Sequence, residues 1–311
     1  MFYSNKKRNS KMDSEQKQII EGLADFFANS YRTPVLRRPN EFDLEYEDVF
    51  FPSMDGVSLE GWFIPAKGSN KLIICNHFMP GNRYGYPGHL EGWQNFGGFE
   101  VNFIPQYKAL HDAGYNILAY DLRNHGNSNV GNGGKVGIGL FEYRDVIGSL
   151  RYAKTRPDTK GMETSLLSIC LGCNSTMVAM NKHPEEFSHI KSMIALQPVS
   201  ARPFIEKACE SANIDPQQGT EYFDLCSQRR TGFHIDELSP IEHAKAVQVP
   251  TLVVQVHQDI LTKPSDVETI YANIPAEKEL FWIEGTTRRF DGYNYFSENP
   301  KQMLDWFGKY M

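Results

Sequence analysis

The chain has 311 residues, of which 41% are hydrophobic and 13% aromatic, enough apolar side chain for one sizeable core and too much for a disordered polymer. Its formal charge of −6 contains no long block of one sign, which argues against a nucleic-acid or anionic-membrane surface. No run approaches the ~20 apolar residues that span a bilayer and the N-terminus has no apolar signal core, so a cytoplasmic location is expected.

Lys6, Lys7, Arg8 and Lys11 stand in a polar N-terminal stretch and read as a solvated tail. Behind a cap at Asp13 or Ser14, Ile19, Ile20, Leu23, Phe26 and Phe27 recur at helical spacing, predicting a helix over 13 to 30. The runs 45 to 52 and 58 to 64, joined by the turn Met54-Asp55-Gly56, predict an antiparallel hairpin. From Lys71 the rhythm changes to short apolar runs at 71 to 76, 115 to 120, 164 to 169, 190 to 196, 250 to 256 and 278 to 283. Helical stretches at about 102 to 113, 136 to 155, 171 to 183, 239 to 245, 264 to 273 and 297 to 310 separate or follow them. This alternation predicts an α/β fold with a doubly wound, mostly parallel sheet, and a ligand crevice at the carboxyl ends of the strands.

Two segments break the alternation. Residues 81 to 101 are rich in Gly and aromatic side chains, and 199 to 236 interrupt the strand rhythm with Phe204, Ile205, Tyr222, Phe223 and Leu225. The second reads as a lid. The expected organisation is therefore a tail and helix over 1 to 44, then one domain over 45 to 311 with a lid inserted at about 199 to 236.

Cys75, Cys170, Cys173, Cys209 and Cys226 are an odd number, without the further ligands at matching spacing that a zinc site needs, so no metal and no cofactor is expected. The spacing of Cys170 and Cys173 would suit a redox pair or half a metal site, but Cys170 ends a mid-chain strand, where a tight strand-to-helix turn explains it better. Ser168-Ile169-Cys170-Leu171-Gly172 fits the GxSxG pattern, with small residues two positions either side of the side chain pushed out over the sheet. The following helix would aim its first N–H groups at the sulfur.

Several motifs in order carry a resemblance. The elbow is preceded by Asn76-His77-Phe78-Met79-Pro80-Gly81 and by Asp121-Leu122-Arg123-Asn124-His125-Gly126-Asn127-Ser128, and followed by Val249 to Asp259 with its strand and acid loop. Together, from about residue 45 to 311, they resemble the α/β-hydrolase superfamily, with an elbow similar to that of the dienelactone hydrolases, which also use cysteine. The resemblance implies Cys170 as nucleophile, Asp259 as acid, the backbone N–H groups of Phe78 and Leu171 as the oxyanion hole, and a structural role for His125. His77, Tyr84, Trp93 and His234 are candidate pocket residues. The expected function is that of an acyl hydrolase or acyltransferase acting through Cys170 on a small apolar or acyl compound such as an ester, thioester or lactone, with a catalytically silent protein that binds a small apolar ligand or a protein partner as the alternative.

The third catalytic position departs from the pattern. No histidine follows His257, and Arg288 falls where the base is expected. A guanidinium stays protonated and cannot accept the nucleophile's proton. Three readings follow: Arg288 and the helix terminus hold Cys170 as a thiolate for acyl transfer; His257 or His234 substitutes as base; or Arg288 pairs with Asp259 and the crevice only binds a ligand.

Overall fold

The computed structural model describes residues 12 to 311, so Lys6, Lys7, Arg8 and Lys11 lie outside the described residues. Helix α1 (Ser14–Ala28) starts in a capping box: Asp13 accepts the Gln16 N–H at 2.9 Å, and the Gln16 side chain accepts the Asp13 N–H at 3.2 Å. Strands β1 (Glu47–Pro52) and β2 (Ser58–Ile64) form the expected antiparallel hairpin.

Strand β3 (Lys71–Asn76) leads into a loop carrying the two-residue strands β4 (Gly85–Tyr86) and β5 (Val101–Asn102), then α2 (Ile104–Asp112). There follow β6 (Asn116–Tyr120), α3 (Tyr143–Thr155), β7 (Glu163–Ile169), α4 (Leu171–Lys182) and β8 (Ile190–Leu196). Between β8 and β9 (Thr251–Val256) the chain inserts α5 (Ala201–Ser211) and α6 (Pro216–Thr231), which is the segment read as a lid. Helix α7 (Pro264–Asn273), β10 (Lys278–Ile283), α8 (Arg289–Glu298) and α9 (Lys301–Tyr310) complete the chain.

Eight strands form one sheet in the order β1-β2-β6-β3-β7-β8-β9-β10, antiparallel where β2 meets β1 and β6 and parallel across the other pairs. Apolar cores on its two faces account for the nearly continuous hydrophobic runs of β3, β6, β7 and β9.

Three expected helices need correction, the first being that over 239 to 245, which is only a 3-10 turn at His243–Ala246. The 136 to 155 helix starts only at Tyr143, because the Glu142 carboxylate accepts the N–H groups of Gly137 and Gly139 and ties this segment into a turn. The helix expected over 297 to 310 is α9, which starts only at Lys301, because the chain breaks at Asn299-Pro300 where proline disfavours helical backbone in the residue before it; α8, which was not expected, precedes the break. Helix α8 contains Gly292. That glycine is there for space: a Cβ would lie 2.7 Å from the Gln197 amide nitrogen and 2.8 Å from a Val256 methyl.

Helix α1 lies across the insertion. Phe27 meets Phe204 of α5 at 5.2 Å and Phe223 of α6 at 5.6 Å between ring centroids, and Arg230 binds Asp25 at 2.7 Å. The N-terminal helix and the lid are thus one roof over the carboxyl ends of the central strands.

Beneath the crevice, Arg83 and Asp121 pair at 2.8 Å with both side chains fully buried. Arg123 binds the buried Asp145 carboxylate through Nε at 2.9 Å. His77 accepts the Leu122 N–H at 2.9 Å, and His125 sits 5.3 Å from it between ring centroids. Burial pushes the His77 imidazole down to about 4 and that of His125 to about 3. Folding therefore favours the neutral rings. Their contribution is complete above the ordinary histidine value of about 6.5 and is lost as the pH falls toward 4 and then 3. Moving from pH 7 to pH 5 should cost about 2 kcal/mol for each ring. Because burial raises the Asp145 carboxyl to about 7 and so works in the opposite sense over this range, the check is NMR titration of the two imidazoles in the folded protein, and protonation of either ring near 6.5 would refute it.

Candidate functional site

Strand β7 runs into α4 through Cys170, whose φ of 50° and ψ of −107° lie in a region that costs a non-glycine residue about 1–3 kcal/mol. The surroundings hold it there. The Cys170 N–H donates to the Leu196 carbonyl at 2.8 Å, and the Gly172 N–H donates to the His77 carbonyl at 3.0 Å, docking the elbow against the loop after β3. Small residues are required on both sides: Ser168 tucks its hydroxyl against Thr176 at 2.9 Å, and a Cβ on Gly172 would come within 2.3 Å of the Asn76 carbonyl oxygen.

Cys173 lies one turn into α4, fully buried, its thiol 2.7 Å from the Ser168 carbonyl, and burial pushes its pKa well above the ordinary thiol range. All five cysteines are free, so the pair is neither a disulfide nor, among the described residues, part of a metal-holding cluster.

Cys170 opens into a small chamber of about 50 Å³ whose walls include Phe27, Met79, Ile138, Leu171, Val199, Arg289 and Tyr293. The chamber shares Phe26, Phe96, Phe204, Leu261, Arg289 and Phe290 with an outer cleft of about 420 Å³ that also touches Leu23, Ala208 and Ile260. Among the described residues, Cys170, Arg289 and Tyr293 are the only polar side chains lining the inner chamber.

Arg289 is the charged centre of this site. Its side chain is 3% exposed and donates through Nη1 to Asp259 at 2.9 Å, through Nε to the Tyr293 hydroxyl at 2.8 Å, and through Nη2 to the Gln197 carbonyl. Asp259 is equally enclosed at 1% and is saturated by Gln255 at 3.1 Å, Thr262 at 3.1 Å and the Leu261 N–H at 2.9 Å. Desolvation alone would lower the Arg289 pKa; its neighbours Tyr293, Cys170 and the ionised Asp259, to which it is hydrogen-bonded, outweigh it and hold the guanidinium protonated.

Among solved structures, the chain is similar to an esterase from Pyrococcus furiosus at 19% identity, with 91% of this chain and 96% of that one covered and a TM-score of 0.66. A dienelactone hydrolase from Anabaena variabilis is similar at 15% identity over 86% of this chain and 99% of that one, with a TM-score of 0.54. An uncharacterized protein of Bacillus subtilis, YqkD, is 22% identical over 256 residues, 78% of this chain and 72% of its own length. No family model matches. The fold is that of the α/β hydrolases.

In an α/β hydrolase the elbow carries the nucleophile, the loop after a later strand carries an acid, and a histidine from near the chain's end lies between them. Cys170 and Asp259 stand at the first two places. At the third stands Arg289, one residue beyond Arg288. The expectation for Arg288 is corrected accordingly: it precedes the first residue of α8, is 55% exposed, pairs with Asp291 at 2.9 Å and lies over the Phe99 ring at 4.8 Å. It does not reach Asp259.

The candidate substitute bases lie elsewhere. His257 is exposed, bonded to Glu284 at 2.8 Å and stacked on Trp282, while His234 sits at the far end of the lid against Asp224 at 3.1 Å. Among the described residues no histidine lines the chamber.

The expected pocket residues are corrected too. His77 belongs to the buried layer beneath, and Tyr84 turns its hydroxyl to Glu100 at 2.8 Å. Trp93 packs on Tyr86 at 6.3 Å. None of these, nor His234, lines the chamber or the cleft. The loop after β3 contributes the Met79 side chain, whereas the Phe78 ring is turned into the core and stacked on Tyr293 at 4.1 Å. Among the described residues the N–H groups of Phe78, Met79 and Leu171 have no protein acceptor. Sequence reasoning missed Phe26, Phe27, Met79, Arg289, Phe290 and Tyr293 as site residues. A signal for α8 existed: Phe290, Tyr293 and Phe296 recur every three residues, with Arg289 and Tyr293 one turn apart.

Proposed function

We propose that the crevice is a ligand-binding site on an α/β-hydrolase scaffold, selective for a small apolar compound and silent in hydrolytic turnover. The observation that carries this reading is the buried Arg289–Asp259 pair standing where a neutral base would have to be. A nucleophile–base relay needs a group that takes a proton from Cys170 and later activates water, and a guanidinium does neither. Asp259, with both oxygens engaged, is committed to Arg289. The apolar walls around Cys170 support an apolar ligand. Fold alone does not bring the esterase activity of similar structures to this chain. The expected partner is a small molecule, and a cytoplasmic location remains part of the proposal; among the described residues no helix is long and apolar enough to cross a membrane.

A second reading rests on the strained elbow. Backbone held at φ 50° and amides left without acceptors are what acyl transfer to Cys170 would use. The sulfur would form a bond to the carbonyl carbon of an activated ester, thioester or lactone. The leaving oxygen or sulfur would depart with the bonding pair and the thiol's proton, and the acyl group would stay on Cys170.

Incubation with p-nitrophenyl butyrate, following p-nitrophenolate and the intact mass together, separates these outcomes. Silence predicts no sustained release above that of Cys170→Ala. One equivalent of butyryl adduct on Cys170 would replace the first reading with the second, and sustained release abolished in Cys170→Ala would overturn both.

A further inference from the structure

The hydrogen-bonding groups of the inner chamber are almost all donors. Arg289 has five N–H groups and spends three on Asp259, Gln197 and Tyr293, leaving two. The Tyr293 oxygen accepts from Arg289, and its own proton is directed to the Cys170 sulfur, a weak acceptor that a ligand oxygen would replace. The Leu171 N–H opens α4, a helix of twelve residues whose positive end meets Cys170, and the Phe78 and Met79 amides are also free. Of the potential acceptors nearby, Asp259 is saturated, the Gln197 carbonyl is taken by Arg289, and the Gln197 side-chain oxygen, although without a partner, does not line the chamber.

A ligand group that satisfies such a set must accept several hydrogen bonds and donate none. An ionised carboxylate does this, with about four lone-pair sites on two oxygens; an alcohol brings a donor with no partner, and an ester carbonyl has half the capacity. Size sets the orientation. The chamber of about 50 Å³ holds a head group, and the cleft of about 420 Å³ between Leu23, Phe26, Phe96, Phe204, Ile260 and Phe290 is where an apolar chain would lie.

We propose that the ligand is an apolar carboxylic acid, bound non-covalently with its carboxylate at Cys170 between Arg289, Tyr293 and the amino end of α4 and its tail toward the roof formed by α1 and α5. This deepens the binding reading and rests on it. The Arg289 charge is already balanced by Asp259, so the carboxylate would be held by hydrogen bonds from the unused guanidinium N–H groups and by the positive helix end.

The test is calorimetric titration of the full chain with octanoate, octanol and methyl octanoate at pH 7, alongside the rate at which iodoacetamide alkylates Cys170. Octanoate should bind at least tenfold more tightly than either neutral compound and should slow alkylation. Shortening the acid to hexanoate should cost about fourfold per methylene. Tyr293→Phe, which keeps the ring on Phe78 and removes one donor, should weaken octanoate about five- to tenfold and octanol less than twofold. If octanol or methyl octanoate binds as tightly as octanoate, the carboxylate is wrong and the apolar site stands. If none of the three binds or protects Cys170, the binding reading itself falls. Octanoate binding that leaves alkylation and the Tyr293→Phe affinity unchanged places the ligand elsewhere and also overturns the proposal.

Discussion

Replacing Arg289 with histidine is expected to install ester turnover where the parent chain has none. The imidazole would occupy the first turn of α8, with Asp259 in place to accept its N–H and Cys170 on the same chamber wall. Those are the relations a general base needs, and a positioned base contributes typically ~10²–10⁴-fold to rate. Hydrolysis of p-nitrophenyl butyrate should rise by at least about 10²-fold and vanish again when Cys170→Ala is added. The substitution releases the Gln197 carbonyl and the Tyr293 hydroxyl from the guanidinium, so the variant's near-ultraviolet circular dichroism and urea midpoint must be recorded beside the rate. A folded Arg289→His protein with no gain would mean that residue 289 does not stand at the base position.

Removing the other half of the pair should produce the largest loss of stability. Asp259→Ala leaves a guanidinium that is 3% exposed without its counter-charge, and also strips partners from Gln255, Thr262 and the Leu261 N–H. Breaking one side of a buried ion pair costs about 3–5 kcal/mol, because the remaining charge cannot regain water. Replacing both partners with apolar residues of similar volume, as in Arg289→Met with Asp259→Leu, should recover most of that loss. Urea denaturation of the parent chain, the single variant and the double variant measures both effects. A loss below about 1 kcal/mol in Asp259→Ala would show that water reaches the pair, since exposed pairs are worth only that much.

Much of the scaffold was legible because its signals are local. The alternation of apolar runs and helical stretches from Lys71 places six strands to within a residue or two of where they lie, and the Asp13 cap marks the start of α1. The elbow was legible for a stronger reason, since Ser168, Cys170 and Gly172 each answer a demand of one tight turn, and Gly172 has no room for a Cβ beside Asn76. The walls of the site were less legible. Tyr84 and Trp93 have the composition of pocket residues but spend their polar groups on Glu100 and Tyr86 within their own segment. Phe26 and Phe27 fit a helical stripe, and nothing in that stripe says that the stripe faces a chamber built by residues from Met79 to Tyr293.

Residue order alone carried the α/β alternation, the tight turn at Cys170, the expectation that Asp259 is the acid, and the absence of any histidine beyond His257. Only the tertiary structure decided which arginine of the Arg288-Arg289 pair enters the site. Neighbouring residues on a helix point about 100° apart. The position at which α8 begins therefore turns Arg289 inward to Asp259 and leaves Arg288 on the exposed rim of the outer cleft with Asp291 and Phe99. That start is set by packing of Phe290, Tyr293 and Gly292 against Phe78, Phe96 and Val256, contacts from distant parts of the chain that no local pattern contains.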